Sequence, residues 1–160
     1  MIFYSIGVYG TSEKSFFDKL IHNKIDTFCD IRNRRGVRGA TYSYVNSKKL
    51  QEKLQQLEIK YLYVQDLAPT KEIRDFQKVE DKQNGILKSK RIGLGFTFIQ
   101  EYEKRILDRF DFNSFIKGLK EKASDNIVLF CVEEDVNACH RSIVANRLFT
   151  TFGMSIKHIK

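Results

Sequence analysis

Runs of apolar residues alternate along the chain with longer segments of mixed apolar and polar character. The run at 127–132 has no polar member and is bounded by Asp and Asn on one side and acidic residues on the other. Such a short continuous run predicts a fully buried strand, of the kind found at the centre of a parallel sheet. Apolar stretches with some polar members predict further strands at 2–8, 25–31, 59–64 and 154–159.

The segments between these strands show helical spacing. Val144, Leu148 and Phe152 recur every four residues and give one apolar stripe, and Gly153 is positioned to end that helix. Further helices are predicted after Thr11 or Ser12, after Ser47, and at 71–78, 96–110 and 112–123.

Strand and helix alternate through most of the chain, which predicts βαβ crossovers. We therefore expect an α/β fold, a Rossmann-like three-layer sandwich with a mostly parallel sheet of about five strands and helices on both faces. The 160 residues suit a single domain over 1–160 and are too few for an eight-unit α/β barrel.

Charge adds a first indication of function. The formal net charge is +8 and the sequence pI is about 9.4, which favours a polyanionic partner, nucleic acid or nucleotide. A lysine-rich solvated surface accounts for the same excess and stays open as the alternative.

The cysteine count and the apolar runs bear on the compartment. Three cysteines argue against a disulfide framework, and the first residues lack the charged start of a signal peptide. No apolar run is long enough to span a membrane. We expect a cytoplasmic protein without a membrane partner, and its oligomeric state stays undetermined.

Reactive residues concentrate where the strand at 127–132 gives way to the helix near residue 138. In open α/β sheets, ligands bind at the carboxyl ends of strands, close to the positive ends of helix dipoles. Asn137 is the expected N-cap of this helix. Cys139, His140 and Arg141 are expected in its first turn, with Arg141 facing Glu133 or a bound anion.

The run LFCVEEDVNACHRSIVANRL resembles the C-terminal signature of the domain of unknown function 488 family, Cys-x-Glu followed by Cys-His-Arg at Cys131 to Arg141. Ser5-Ile6-Gly7, Asp30-Ile31-Arg32 and LEIKYLYVQDLAP resemble its earlier strands. The resemblance spans the chain and implies the fold, whereas the family's activity is unsettled.

An arginine-rich loop follows the strand at 25–31. Its glycines let backbone and guanidinium groups approach phosphates, and exposed tyrosines can stack on bases. We expect phosphate or nucleic-acid contact from Arg32, Arg34, Arg35, Arg38 and Tyr42, and from Arg141 at the other strand end. Ion pairing within a solvated loop is the competing interpretation.

Three functions fit these residues. The first is an enzyme that hydrolyses a glycosidic or phosphoester bond of a nucleic acid or nucleotide, with Asp30, Glu133 and His140 as acid–base groups. The second is a non-catalytic nucleic-acid or nucleotide sensor. The third is a thiol enzyme that uses Cys139.

A zinc site would use Cys131, Cys139 and His140, with Cys29 as a possible fourth ligand. The spacing matches no common zinc finger, and adjacent Cys139 and His140 are expected to point in different directions. We therefore assign no metal and no cofactor from the sequence, and interpret Cys131 as a small buried hydrophobe. The glycine-bearing, basic segment at 81–95 is a candidate lid.

Overall fold

The computed structural model of the chain describes residues 1–87 and 90–160. Five strands form one sheet. They are β1 Ile2–Ile6, β2 Thr27–Asp30, β3 Lys60–Tyr63, β4 Asn126–Phe130 and β5 Ser155–His158. Four lie within the runs predicted for them, and β4 begins one residue before its predicted run.

Six α-helices connect and cover these strands. They are α1 Glu13–His22, α2 Ser47–Gln56, α3 Lys71–Gln83, α4 Phe96–Tyr102, α5 Phe112–Glu121 and α6 Arg141–Phe152. A π-helical turn, Glu103–Leu107, continues α4, and short 3-10 turns precede α2, α3 and α6. None of the helices within the described ranges has the length and apolar character needed to cross a bilayer.

The sheet order is β3-β2-β4-β1-β5, and every described pair is parallel. The predicted α/β sandwich with a parallel sheet is confirmed. β4 lies between β1 and β2, which explains why its sequence is apolar on consecutive positions rather than on alternate ones. Asp30 of β2 is in register with Phe130 of β4.

Each face of the sheet carries its own helical layer. Val128 and Phe130 of β4 join the core that contains α1 and α2, whereas Ile127 and Leu129 join the core that contains α3, α4, α5 and α6. Successive strand residues point to opposite faces, so one short strand contributes to both cores. Cys131 continues the second set and therefore faces α4 and α6.

Two helices differ from their predicted lengths. α3 extends to Gln83 instead of ending near 78, because Gln77 donates to Asp81 at 2.8 Å and Arg91 pairs with the same buried carboxylate. The helix predicted at 96–110 is an α-helix only to Tyr102 before the π-helical turn begins. The pairing of Asp81 with Arg91, ten residues further along the chain, leaves no trace in the local periodicity of α3.

Candidate active site

The loops after β2 and β4 leave the same edge of the sheet from neighbouring strands. The sequence prediction that these two strand ends are close together is confirmed. Carboxyl ends of adjacent parallel strands form the usual ligand-binding edge in such folds. The side chains that follow Asp30 and Phe130 therefore define the candidate site.

The connection from β4 to α6 differs from the prediction. Asp135 accepts a hydrogen bond from the Asn137 amide at 2.8 Å and begins a 3-10 turn, Val136–Ala138. Cys139 is then extended, and His140 is the N-cap of α6. The expectation that Asn137 caps the helix and that Cys139 lies in its first turn is wrong, because Asn137 belongs to the 3-10 turn and Cys139 is the extended residue between that turn and His140.

Arg141 stabilises this connection. The residue is 2% exposed, and its Nη1 and Nη2 donate to the carbonyl oxygens of Glu133 at 2.6 Å and Glu134 at 2.9 Å. Both of these hydrogen bonds are to backbone carbonyls. The partner predicted from the sequence was instead the Glu133 carboxylate or a ligand anion. A guanidinium that bonds two successive carbonyls fixes the path of the loop after β4.

Gly7 makes room for the same loop. A Cβ atom at residue 7 would lie 2.0 Å from the Glu133 carbonyl oxygen and 3.2 Å from Arg141 Nη2. No side chain fits there unless the backbone of the loop moves. The glycine of the Ser5-Ile6-Gly7 segment is thus required by close approach of two strand-end loops, a reason that only the tertiary structure supplies.

Cys131, Cys139 and His140 form a buried cluster, hereafter the Cys–His cluster. His140 Nδ1 lies 3.8 Å from Cys131 Sγ and 3.9 Å from Cys139 Sγ, and the three donor atoms all lie within 4.8 Å of one another. The expectation that Cys139 and His140 point in different directions is wrong. Extended backbone at Cys139 followed by helical backbone at His140 turns both side chains to one side. Cys131, interpreted as a mere hydrophobe, is the third member.

A hydrogen bond at Nε2 fixes the orientation of the His140 imidazole. Nε2 lies 3.0 Å from the carbonyl oxygen of Ile31, which can only accept, so Nε2 carries a hydrogen. In the neutral ring, Nδ1 then presents its lone pair to the two sulfur atoms. The ring also packs edge-on against Tyr102, with ring centroids 5.6 Å apart.

The two thiols of the cluster differ in acidity. Burial raises the pKa of the Cys139 thiol, but a hydrogen bond from Cys131, together with the nearby His140 and Arg141, outweighs burial and leaves the pKa well below its ordinary value. The pKa of Cys131 is raised, first by that hydrogen bond with Cys139 and then by burial. Cys139 is thus the more acidic thiol of the pair, and Cys131 donates the hydrogen bond between them.

Asp30, predicted as an acid–base residue, is fully buried in a different arrangement. Arg32 donates to its carboxylate from Nε at 2.8 Å and from Nη2 at 2.7 Å, and the Tyr61 hydroxyl donates at 2.9 Å. Arg32 is itself 3% exposed and lies over the Phe130 ring at 4.6 Å. A fork-to-fork pair of this kind orients Arg32 at the strand end.

A cavity of about 530 Å³ opens between these loops and α3, and the Cys–His cluster lies in its wall. Basic side chains dominate its charge, so we call it the cationic cavity. Six basic residues line it, namely Arg32, Arg34, Arg38, Arg74, Lys78 and Arg91. Glu133 is the acidic residue among the described residues that line it.

The predicted phosphate-binding residues divide into two groups. Arg32, Arg34, Arg38 and Tyr42 line the cationic cavity. Arg35 and Arg141 do not line it. The Arg35 guanidinium lies 4.3 Å from the centroid of the Tyr63 ring, and Arg141 is buried and bonds to backbone carbonyls. Tyr42 accepts a hydrogen bond from the Gly10 amide at 3.0 Å, which anchors the arginine-rich loop to the loop after β1.

Three basic residues of the cavity, Arg74, Lys78 and Arg91, were missed by sequence reasoning. Arg74 and Lys78 are four residues apart on α3, so a basic face of that helix was visible in the sequence. What the sequence does not show is that this face is directed at the arginine-rich loop. The helix and the loop are distant in sequence, and only the fold brings them together.

The segment predicted as a lid borders the cavity. The Leu94 amide donates to the Asn137 carbonyl at 3.1 Å, and the Gly95 amide donates to Gln77 Oε1 at 2.8 Å. Arg91 and Leu94 contribute to the cavity wall. Residues 88 and 89 of this segment lie outside the described residues, and movement of the segment stays a prediction.

A larger, more open groove of about 920 Å³ runs beside β3 and α5. Its described lining residues include Arg105 and Arg109 but neither a thiol nor an imidazole. Size alone would favour this groove as the ligand-binding site. Reactive side chains and clustered charge favour the smaller cavity, and the chemistry is assigned there.

These observations define an α/β protein whose candidate site lies at the carboxyl edge of a parallel sheet. The family model of the domain of unknown function DUF488 matches residues 12–148, and the chain belongs to that family. No curated protein and no solved structure matches the chain. The matched range includes both strand-end loops and the whole Cys–His cluster.

Proposed function

We propose that this chain is a cytoplasmic enzyme that acts on a nucleotide or nucleic acid and hydrolyses a phosphoester or glycosidic bond in the cationic cavity. The observation that carries the proposal is the meeting of six basic residues, one carboxylate and the Cys–His cluster around one cavity. Substrates with phosphate groups match that charge, and the cluster and carboxylate supply reactive groups.

Arg34 and Arg38 are assigned to phosphate binding. Both side chains are exposed, and within residues 1–87 and 90–160 neither forms an ion pair, so their charges are available to a ligand. Arg32 and Arg91 are balanced by Asp30 and Asp81 and serve to shape the wall. Tyr42, in the cavity wall, provides an aromatic surface for a base.

Glu133 is assigned the proton transfer, since it is half-buried and lines the cavity where the substrate would bind. His140 is assigned an indirect role through the two thiols and does not contact the substrate, because Ile31 and the two sulfur atoms occupy both ring nitrogens. Asp30 is a positioning residue for Arg32, since its carboxylate is fully buried beneath it. This distribution revises the roles suggested by sequence while keeping the same reaction class.

A thiol enzyme centred on Cys139 is the second candidate. One observation favours it, namely the lowered pKa of Cys139 beside His140 at the cavity wall. In this mechanism Cys139 would attack the substrate directly, and Glu133 would contribute only to binding. The two candidates predict opposite results for two substitutions.

The test is turnover and binding of a panel of nucleotides and short oligonucleotides by the purified chain. Glu133→Gln should lower turnover by about 10²–10⁴-fold, the range for loss of an acid–base group, and leave binding intact. Glu134→Gln is the matched control, since Glu134 is exposed and does not line the cavity. Activity that survives Glu133→Gln and disappears in Cys139→Ala would assign the thiol mechanism instead.

Binding is tested through the cavity arginines. Arg34→Gln with Arg38→Gln should weaken oligonucleotide binding and flatten its salt dependence, since removing one phosphate contact lowers the slope by about 0.7–0.9. Arg109→Gln, in the larger groove, should leave both unchanged. Binding without turnover would identify the sensor function, and absence of binding at low salt would contradict both the enzyme and the sensor.

A further inference from the structure

The Cys–His cluster has the composition of a metal site as well as that of a reactive thiol pair. Two sulfur atoms and one imidazole nitrogen lie within 4.8 Å of one another, on residues 2–8% exposed. It is the only group of three or more His, Cys, Asp and Glu ligands gathered in this way among the described residues. Thiolate and imidazole are the ligands that Zn²⁺ prefers in proteins.

The distances agree with a tetrahedral ion. With Zn–S of about 2.3 Å and Zn–N of about 2.0–2.1 Å, the sulfur–nitrogen edge of a tetrahedron is about 3.6 Å. The two observed edges to His140 Nδ1 are 3.8 Å from Cys131 Sγ and 3.9 Å from Cys139 Sγ. The corresponding sulfur–sulfur edge is about 3.8 Å. The two Sγ atoms lie within 4.8 Å of each other, so shifts of a few tenths of an ångström at the imidazole and of up to about 1 Å at a sulfur would bring the three donors onto one ion.

The surroundings of His140 also fit metal binding. Its Nε2 hydrogen is held by the Ile31 carbonyl, which leaves Nδ1 as the nitrogen that can coordinate. Metal-bound histidines almost always make such a bond from the other nitrogen, because it fixes the ring and its tautomer. Tyr102 packs against the ring and donates its own hydroxyl to the Leu67 carbonyl, so the imidazole is held on two sides.

We propose that Cys131, Cys139 and His140 bind one zinc ion through both Sγ atoms and Nδ1, with the fourth position supplied from the cationic cavity by water or substrate. Three protein ligands with a fourth position open to a cavity are the arrangement of catalytic zinc sites. Zinc binding does not depend on the proposed function. Only the next step does: a zinc-bound water, with its pKa lowered toward about 7, would be the attacking group for hydrolysis.

Metal content is the direct test. The full chain, purified under reducing conditions without chelator, stripped and reloaded with zinc alone, should hold one zinc per chain. Loaded with cobalt(II), it should show the visible bands of a tetrahedral ion and a thiolate-to-cobalt charge-transfer band. Each of Cys131→Ala, Cys139→Ala and His140→Ala should lose more than the ~10–100-fold in affinity that removal of an outer-shell partner costs.

Cys29→Ala is the matched control, because Cys29 is also buried in the core and lies outside the cluster. This variant should keep one zinc and unchanged cobalt bands. Should a cluster variant fail to fold, zinc titration of the wild-type chain decides, since a site-bound ion raises the melting temperature in proportion to the logarithm of its concentration.

Wild-type chain that binds no zinc, or variants that bind as tightly as wild type, would overturn the proposal. A Cys131–Cys139 disulfide that persists under the reducing conditions would overturn it as well. Hydrolysis that continues in chelator-treated protein without zinc would leave the proposed function standing and remove the metal from it. Zinc binding without any hydrolysis would leave the zinc site standing and contradict the proposed function.

Discussion

The loops after β2 and β4 lie side by side at one edge of the sheet, and they bury polar groups in opposite ways. After β2, Asp30 and Arg32 neutralise each other in a bidentate pair that Tyr61 completes. After β4, the Cys–His cluster turns two sulfur atoms and a nitrogen toward one another, and Arg141 bonds to backbone carbonyls behind them.

This contrast distinguishes a strand end that stabilises the structure from a strand end that carries reactive groups. A fully paired carboxylate and guanidinium have little capacity left for a substrate, so the β2 end mainly fixes geometry. Two thiols and an imidazole nitrogen that face one another in the wall of a cavity are suited to an ion or to nucleophilic chemistry. Equivalent positions in the fold therefore carry different roles, and substitutions at the two strand ends should have different consequences.

The largest effect is expected at the β2 end. Asp30→Asn removes one partner of a buried ion pair and leaves the Arg32 charge uncompensated, which should lower the free energy of unfolding by about 3–5 kcal/mol. Denaturant unfolding measures the loss. Asp18→Asn, in the exposed Lys14–Asp18 pair, should change stability by only about 0–1 kcal/mol. Equal losses in the two variants would contradict the supporting role of Asp30.

A smaller effect is expected from Gly7→Ala, which disturbs the β4 end. Its Cβ would collide with the Glu133 carbonyl, and overpacking of this kind costs about 1–3 kcal/mol. Gly118→Ala is the control, because α5 leaves open space there and alanine should raise stability by about 0.5–1 kcal/mol. In Gly7→Ala, turnover should fall by a larger factor than the loss of folded protein accounts for, because the loop that carries Glu133 is displaced.

The smallest effect is a pH dependence at the β2 end. Burial, followed by the negative charge of Asp30, raises the pKa of Tyr61 from 10.0 to about 12. A folded pKa above the unfolded value means that the contribution of Tyr61 to stability is complete below pH 10 and is lost as pH rises toward 12. Tyr61→Phe should therefore lose less stability than wild type between these pH values.

Unfolding curves of the two proteins at a series of alkaline pH values provide this measurement. The losses shared by both proteins, including those from lysines, cancel in the difference. Parallel loss of stability in wild type and Tyr61→Phe across that range would show that Tyr61 ionises equally easily in both states, and that the contact with Asp30 is not maintained.

Much of the fold could be predicted from the sequence. The apolar stretches and the helical spacing between them identified the five strands of the described residues, the α/β class and the parallel sheet. The inner strands β1, β2 and β4 are buried on both faces and leave nearly continuous apolar runs, whereas the edge strands β3 and β5 are only partly buried. The proximity of the ends of β2 and β4 was predicted in the same way. Residues that end buried strands of a parallel sheet are gathered at one edge whatever the details of packing.

The roles of individual residues could not be predicted in the same way. The direction of the Cys139 and His140 side chains depends on a 3-10 turn whose length no periodicity reveals. The pairing of Arg141 with backbone carbonyls depends on how closely β1 and β4 approach at Gly7. Hydrogen-bond partners are chosen over distances of a few tenths of an ångström, far finer than a pattern of apolar residues can specify.

The sequence by itself determined the order of the elements, the shared sheet edge and the excess of positive charge, since these follow from local spacing and composition. The tertiary structure alone decided which charges neutralise each other, which basic residues of α3 face the arginine-rich loop, and that three residues meet as the Cys–His cluster. Those outcomes join residues distant in sequence, and only packing fixes their mutual distances.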